Sequence, residues 1–329
     1  DRSIATTFLS FLGPGSLGDI LDGELFYDQE NVTESMAVYG ELSWDLSASL
    51  TVTAGGRFTK DEKEYRNRSE CLDFGAGEDF IFCVAPLGNE FWDIREKKSW
   101  SEFTPKLGVD WRLTDSVMFY ATAARGFKGG GWQGKPGTES SARRAYDPET
   151  AWTYELGAKT QSMDDRLRLN IAAFTTRFDD LQVEQLDDVG LTLIIDNAAN
   201  AEITGIEVEG LSAPTSYSKV WINGSWIDSE YKDFTDSAGN DLSGNMLART
   251  PKYMFSAGLA FTASMSSNWD LDAKIEYNWQ DEMPWLVENT IFEDSYGLVD
   301  ASIRLQSTDD IFEIEVYGQN LTDKLYTVD

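Results

Sequence analysis

The sequence WDLDAKIEYNWQ, residues 269–280, alternates between apolar and polar side chains without a break. Because successive side chains of a β-strand point to opposite faces, this alternation predicts a strand with one apolar and one charged face. At about 3.3 Å per residue the stretch is roughly 40 Å long, which suits a tilted strand that crosses a bilayer. Aromatic residues at both ends are typical of a membrane-barrel wall. A long amphipathic strand in a soluble β-sandwich is the alternative.

The same alternation recurs along the chain from residue 36 onward and yields twelve candidate strands in all. It is weaker in two of them, 117–125 and 219–228, because both faces carry apolar residues. The other nine are 36–45, 49–60, 103–112, 151–160, 166–178, 203–210, 252–261, 298–305 and 311–319.

The connections between these strands alternate between short and long. Short turns rich in Ser, Asp and Thr alternate with long loops at 61–98, 126–150, 179–202, 229–250 and 281–297. This order is typical of an up-and-down barrel with tight periplasmic turns and long extracellular loops. The sequence therefore predicts an all-β fold, a transmembrane antiparallel up-and-down β-barrel over residues 35–329. Its apolar faces contact lipid and its charged faces line a wet lumen, because hydrocarbon leaves no backbone group unpaired.

Composition excludes several functions. The 329-residue chain has a formal charge of −30, which argues against nucleic acid as a partner. It contains no histidine, so Ser-His-Asp triads, histidine bases and histidine metal sites are excluded. The pairs Asp187–Asp188 and Asp309–Asp310 lack the spacing of a calcium loop. We expect no catalytic residue, no metal and no cofactor, and we predict that the chain is not an enzyme.

The first 34 residues show no alternation and predict an irregular, extracellular loop segment. They also lack the basic and apolar regions of a signal peptide. Further on, Cys71 and Cys83 lie in one polar, glycine-containing stretch. A disulfide between them fits an oxidising compartment, and two free thiols are the alternative.

Six stretches resemble the barrel of TonB-dependent outer-membrane receptors, in the same order and over about residues 35–329. They are FTPKLGVDWRLTDSVMFYATAARGFKGGG (103–131), YDPETAWTYELGAK (146–159), FDDLQVEQ (178–185), NAANAEITGIEVEG (197–210), LARTPKY (247–253) and NLTDKLY (320–326). The GFKGGGW sequence is similar to the siderophore-receptor branch of that family.

This resemblance implies a roughly 22-stranded barrel in the outer membrane of a Gram-negative bacterium, plugged by an N-terminal domain. It also implies active uptake energised by a TonB-type protein that grips an N-terminal segment, with lipid and lipopolysaccharide around the barrel. The plug, that segment and the last strand are absent from this sequence. We expect either the C-terminal part of a longer or incomplete chain, or a self-contained twelve-stranded barrel.

The glycine-rich stretch after the strand at 117–125 is the first candidate for ligand binding. Glycines let a backbone approach a ligand, Trp132 is able to stack on it, and Arg125 or Lys128 is able to pair with an anionic chelate. Phe127 and Gln133 belong to the same stretch. A glycine-rich turn with an interfacial tryptophan is the alternative.

Aromatic residues in two long loops are further candidates. Phe91 and Trp92 lie in the 61–98 loop and Trp285 lies in the 281–297 loop, where exposed rings suit capture of a flat ligand. Packing against neighbouring loops explains them equally well.

The predicted function is binding and import of a scarce nutrient, most often a ferric siderophore in this family. A passive twelve-stranded, porin-like diffusion channel and a surface adhesin or scaffold are the alternatives.

Overall fold

The computed structural model describes residues 2–6, 23–73, 92–162, 164, 166–186 and 193–327. The elements in this part of the chain are β1 (Arg2–Thr6), β2 (Gly23–Ser47), β3 (Leu50–Asp73), β4 (Trp92–Thr114), β5 (Val117–Lys128), β6 (Gly131–Trp132), α1 (Glu139–Arg143), β7 (Ala145–Tyr146), β8 (Glu149–Ser162), β9 (Leu167–Leu186), β10 (Leu193–Thr215), β11 (Ser218–Phe234), β12 (Tyr253–Ser266), β13 (Trp269–Gln280), β14 (Met283–Pro284), β15 (Phe292–Glu293), β16 (Tyr296–Ser307) and β17 (Glu313–Gly318).

Thirteen of these strands form one antiparallel sheet, in the order β1-β2-β3-β4-β5-β8-β9-β10-β11-β12-β13-β16-β17. Each long strand pairs with its neighbours in sequence, as the alternating turns and loops predict, and every one of the twelve predicted strands is present. β1 and β17 do not pair with each other within the described residues, which form an open wall. No helix among them has the length and apolarity to cross a membrane.

The two faces of the wall differ in chemistry. On the outward face large apolar side chains are exposed, and the exposed fractions of Met36 and Val38 are 77% and 75%. Exposure of such a continuous apolar band is unfavourable in water but not in lipid. The opposite face carries ion pairs, for example Arg304 Nη2 to Asp272 Oδ2 at 2.7 Å. The wall therefore has one apolar and one charged face, as the alternation predicts, and contact of the apolar face with lipid stays a prediction.

Several strands extend well beyond the apolar band, and here the sequence prediction is wrong. Residues 2–6 and 23–34, which were expected to be irregular, are strand, and β2 and β3 pair from Gly23↔Asp73 downward. The expected 61–98 loop likewise contains the end of β3 and the start of β4. Outside the membrane both faces of a strand carry polar residues, so the alternation disappears although the backbone ladder continues.

Glycines in the wall make room for aromatic rings on neighbouring strands. A side chain at Gly258 on β12 would overlap the ring of Trp221, which belongs to the paired position on β11. Tyr120 covers Gly157 in the same way between β5 and β8. Rings that lie over strand glycines shield the backbone and fix the register.

We predict that Gly258→Ala destabilises the folded barrel by about 1–3 kcal/mol, because the added methyl group displaces the Trp221 ring. Gly224→Ala is the control, since a side chain there meets only ordinary contacts, with the Met254 carbonyl at 3.8 Å. Urea unfolding of the full-length protein in vesicles measures both. Equal stability of the two variants would contradict the packing described.

Candidate functional site

The segment between β5 and β8, residues 129–147, folds onto the inner face of β3 and β4 beyond the apolar band. Its Trp132 stacks on Tyr65, with ring centroids 5.4 Å apart and planes at 7°, and meets the edge of Trp100 at 5.8 Å. We call the group of buried side chains around these rings the mouth cluster; it comprises Tyr27, Tyr65, Trp92, Ile94, Trp100, Trp132 and Ala142. Burial of these rings explains how a long loop acquires a fixed position.

The glycines of this segment serve contacts within the chain. A Cβ atom at Gly130 would lie 2.5 Å from the Tyr146 carbonyl oxygen and 2.7 Å from Cε2 of Trp100. Only glycine therefore lets the backbone pass between these two residues. The Trp132 ring is buried, at 8% exposure, and faces Tyr65. Its contact with a ligand stays a prediction.

Gln133 bonds to the backbone of a distant strand. Its side-chain nitrogen donates to the Ile195 carbonyl at 2.5 Å, and its side-chain oxygen accepts from the Ile195 N–H at 2.8 Å. The amide thus pairs with β10 as a neighbouring strand residue would, and it is buried. These bonds occupy one donor and one acceptor of the group proposed to contact ligand.

The two predicted cations of this stretch differ in availability. The guanidinium of Arg125 donates to Glu102 Oε2 at 2.8 Å and to the Phe103 carbonyl at 2.7 Å, where β4 has lost its ladder with β5. The Lys128 side chain is 63% exposed, and its nearest carboxylate among the residues that the structure describes, Glu149, is 4.0 Å away. Lys128 is therefore the better placed of the two to meet an anion. Phe127 between them is half-buried.

Trp92 is not an exposed loop residue, contrary to the sequence prediction. It is the first residue of β4, it is 5% exposed, and its Nε1 donates to Asn67 Oδ1 at 2.5 Å. Phe91 and Cys83 lie outside the described residues, and Cys71 is described only by its backbone, which pairs with Leu25. The disulfide and the roles of Phe91 and Trp92 in ligand binding stay predictions.

Trp285 lies in the β14–β15 hairpin. Its Nε1 donates to Glu293 at 3.3 Å, and the guanidinium carbon of Arg249 lies 5.6 Å from the centre of its ring. Val287 of the hairpin belongs to a second cluster of buried side chains, whose other members come from β9, β10, β11 and the loop after β11. The cluster comprises Val183, Ala199, Ala201, Tyr231, Phe234, Leu242, Leu247 and Val287. Loop packing accounts for the position of Trp285, and its binding role stays a prediction.

Below this second cluster the inner face of the wall holds an open cavity of about 460 Å³. Its volume lies in the range of small-molecule sites. Its lining combines apolar side chains with hydrogen-bonding ones, the latter being Glu207, Glu209, Asn223, Ser225, Ser256, Asn278 and Gln280. Among the described residues no group of three or more acidic or cysteine side chains is placed to hold a metal ion.

Asp147 lies at the end of the 129–147 segment and contacts two residues of β4. Its carboxylate accepts from Lys98 Nζ at 2.7 Å and from Trp100 Nε1 at 2.9 Å, and these hydrogen bonds, that of Lys98 first, hold its pKa below the ordinary value. It thereby joins the end of the 129–147 segment to β4. A local sequence pattern does not predict this contact, because Lys98 and Trp100 lie almost fifty positions before Asp147 in the chain.

Comparison with known proteins places this geometry in a family. The family model "TonB dependent receptor-like, beta-barrel" matches residues 5–321. The pesticin receptor of Yersinia enterocolitica is 26% identical over 297 residues, which cover 89% of this chain and 40% of the receptor. The catecholate siderophore receptor Fiu of Escherichia coli is 28% identical over 163 residues, 47% of this chain and 21% of that protein.

Two solved structures share the fold. The ferric yersiniabactin uptake receptor FyuA from Yersinia pestis superposes with a TM-score of 0.75 at 23% identity, covering 92% of this chain and 42% of that receptor. The ferric-catecholate import receptor Fiu from E. coli K12, in its closed form, gives a TM-score of 0.65 at 20% identity, with 93% and 42% covered. The chain thus spans less than half the length of these relatives.

We predict that Gly130→Ala loosens the 129–147 segment, because its methyl group has no room beside Tyr146 and Trp100. Trypsin digestion of the intact protein measures this as faster cleavage after Lys135, Arg143 and Arg144. Gly134→Ala is the matched control, since a side chain there meets nothing within 4 Å. Equal cleavage of the two variants would count against the packing of the segment.

Acidification should also loosen this segment. A carboxyl group whose pKa is lowered by folding stabilises the folded state above its ordinary pKa, and the contribution is lost as the pH falls through the lowered value. For Asp147 that window lies below about pH 4. Acrylamide should therefore quench tryptophan fluorescence more strongly at pH 3 than at pH 7. This difference between the two pH values should be smaller in Asp147→Asn. An identical pH response in that variant would assign the effect to other groups.

Proposed function

We propose that this chain, which belongs to the TonB-dependent receptor β-barrel family, forms the wall of a receptor that binds a ferric siderophore and imports it. The family match over residues 5–321 is the observation that carries the proposal. Barrels of this family lie in the outer membrane of Gram-negative bacteria, and they transport rather than catalyse. No covalent bond of the ligand needs to be made or broken.

The names of the relatives support an iron chelate as the ligand. FyuA is named for ferric yersiniabactin, and Fiu is named as a catecholate siderophore receptor and as a ferric-catecholate import receptor. In this chain the exposed Lys128 at the mouth offers a cation to an anionic chelate. The cavity on the inner wall offers hydrogen-bonding groups further in, among them Asn223 and Gln280.

Import requires that the bound ligand pass inward through the lumen. In the proposed scheme a plug domain fills the lumen, and a TonB-type protein remodels it through an N-terminal segment. Lipid covers the outward apolar band, and lipopolysaccharide surrounds its upper rim. The charged inner face of the wall then contacts plug and water.

Uptake of radioactive iron tests this function in a deletion strain grown under iron limitation. We expect uptake from at least one ferric siderophore to fall to background, to return with the full-length protein, and to stop when a protonophore removes the energy source. Unchanged uptake from every chelate would contradict the proposal and leave the adhesin or scaffold. Uptake that the protonophore does not affect would favour the passive channel.

A further inference from the structure

The wall is uneven in height above β5 and β8. β5 ends at Lys128, and its ladder with β4 stops at Lys106↔Ala124. Residues 92–101 of β4 therefore extend past the end of β5, by roughly 33 Å at about 3.3 Å per residue. On the other side, β9 and β10 stay paired up to Leu186↔Leu193, well past the last β8–β9 pair at Thr150↔Asp179. The two tall parts of the wall leave a notch between β4 and β9.

The 129–147 segment occupies this notch and is fixed to its β4 side. Asp147 accepts hydrogen bonds from Lys98 and Trp100, as described above. Arg143 pairs with Glu96 at 2.6 Å. Together with the mouth cluster, these contacts hold both the middle and the end of the segment against β4.

The same segment is fixed to the β9–β10 side. Asn197 on β10 donates to the Asp147 carbonyl at 2.8 Å and accepts from the Asp147 N–H at 2.7 Å. Gln182 on β9 donates to the carbonyls of Gly129 and Asp147 at 3.1 and 3.0 Å. Arg144 adds two bonds to the carboxylate of Asp196, at 2.8 and 2.9 Å.

We infer that residues 129–147 are a fixed part of the wall that closes this notch, with Asp147 and Asn197 as its positioning residues. Asp147 reaches β4 through its side chain and β10 through its backbone, so it joins the two sides of the notch. A ligand that enters the mouth then meets a continuous wall instead of a lateral opening. This inference goes beyond the proposed function, because it holds whatever ligand is imported.

A nitroxide attached at Ser140→Cys tests the inference in the full-length protein in outer-membrane vesicles. Ser140 is exposed on α1, and its hydroxyl bonds to Thr138 of the same segment at 3.0 Å, so the label reports the motion of the segment without disturbing its contacts with β4, β9 or β10. We expect slow motion in the otherwise unchanged protein and faster motion in Asp147→Ala and in Asn197→Ala. In the double variant we expect a correlation time several-fold shorter.

Two controls make the result specific. Lys135→Ala, an exposed position of the same segment, should leave the label slow. Protein without Ser140→Cys gives the background from Cys71 and Cys83, and heat-dependent migration in gels reports whether each barrel is folded. A fast label in the unchanged protein, or a slow one in the folded double variant, would overturn the inference. If the double variant does not fold, the single variants decide in the same way. No ligand is used, so either outcome leaves the proposed function to its own test.

Discussion

Within hydrocarbon, every backbone N–H and C=O group must find a partner in the protein, and the wall depends on this constraint. β13 meets it along its whole length, from Trp269 to Gln280, by pairing with β12 on one edge and β16 on the other. Sequential antiparallel pairing is the simplest way to satisfy all strands at once. With the backbone fixed, alternate side chains are free to differ in polarity, and neighbours such as Lys274 and Ile275 lie on opposite faces of the wall.

Above the membrane water satisfies open strand edges, and the strands no longer need equal lengths. β4 has 23 residues whereas its neighbour β5 has 12. There, side chains supply hydrogen bonds to backbone groups that the strand ladder supplies within the membrane. Arg125 caps a carbonyl of β4 where the β4–β5 ladder ends, and Gln133 pairs with the backbone of β10. Two apolar clusters hold the loops against the inner face of the wall.

The sequence predicts the part of the wall within the membrane better than the part above it. Within the membrane the contrast between lipid and lumen imprints a period of two, so every strand there was recognisable, and β13 has the predicted bounds. Residues 23–34 and Trp92 were misplaced because no such contrast exists outside the membrane. The contact of Tyr65 with Trp132 and that of Trp100 with Asp147 join distant parts of the chain, which a local pattern does not reveal. The glycines of the GFKGGGW stretch predict close approach of the backbone to a ligand, and that stays a prediction, because at Gly130 the approaching group is Trp100 of the same chain.

The orientation of the two faces is the claim on which the account of this protein rests. Quenching by brominated lipid tests it directly, with a fluorescent label placed at Ile275→Cys or at Glu276→Cys in the full-length protein in vesicles. We expect strong quenching at position 275, which faces lipid, and little at position 276, which faces the lumen. Equal quenching at the two positions, or the reverse order, would contradict a membrane-spanning wall with this orientation.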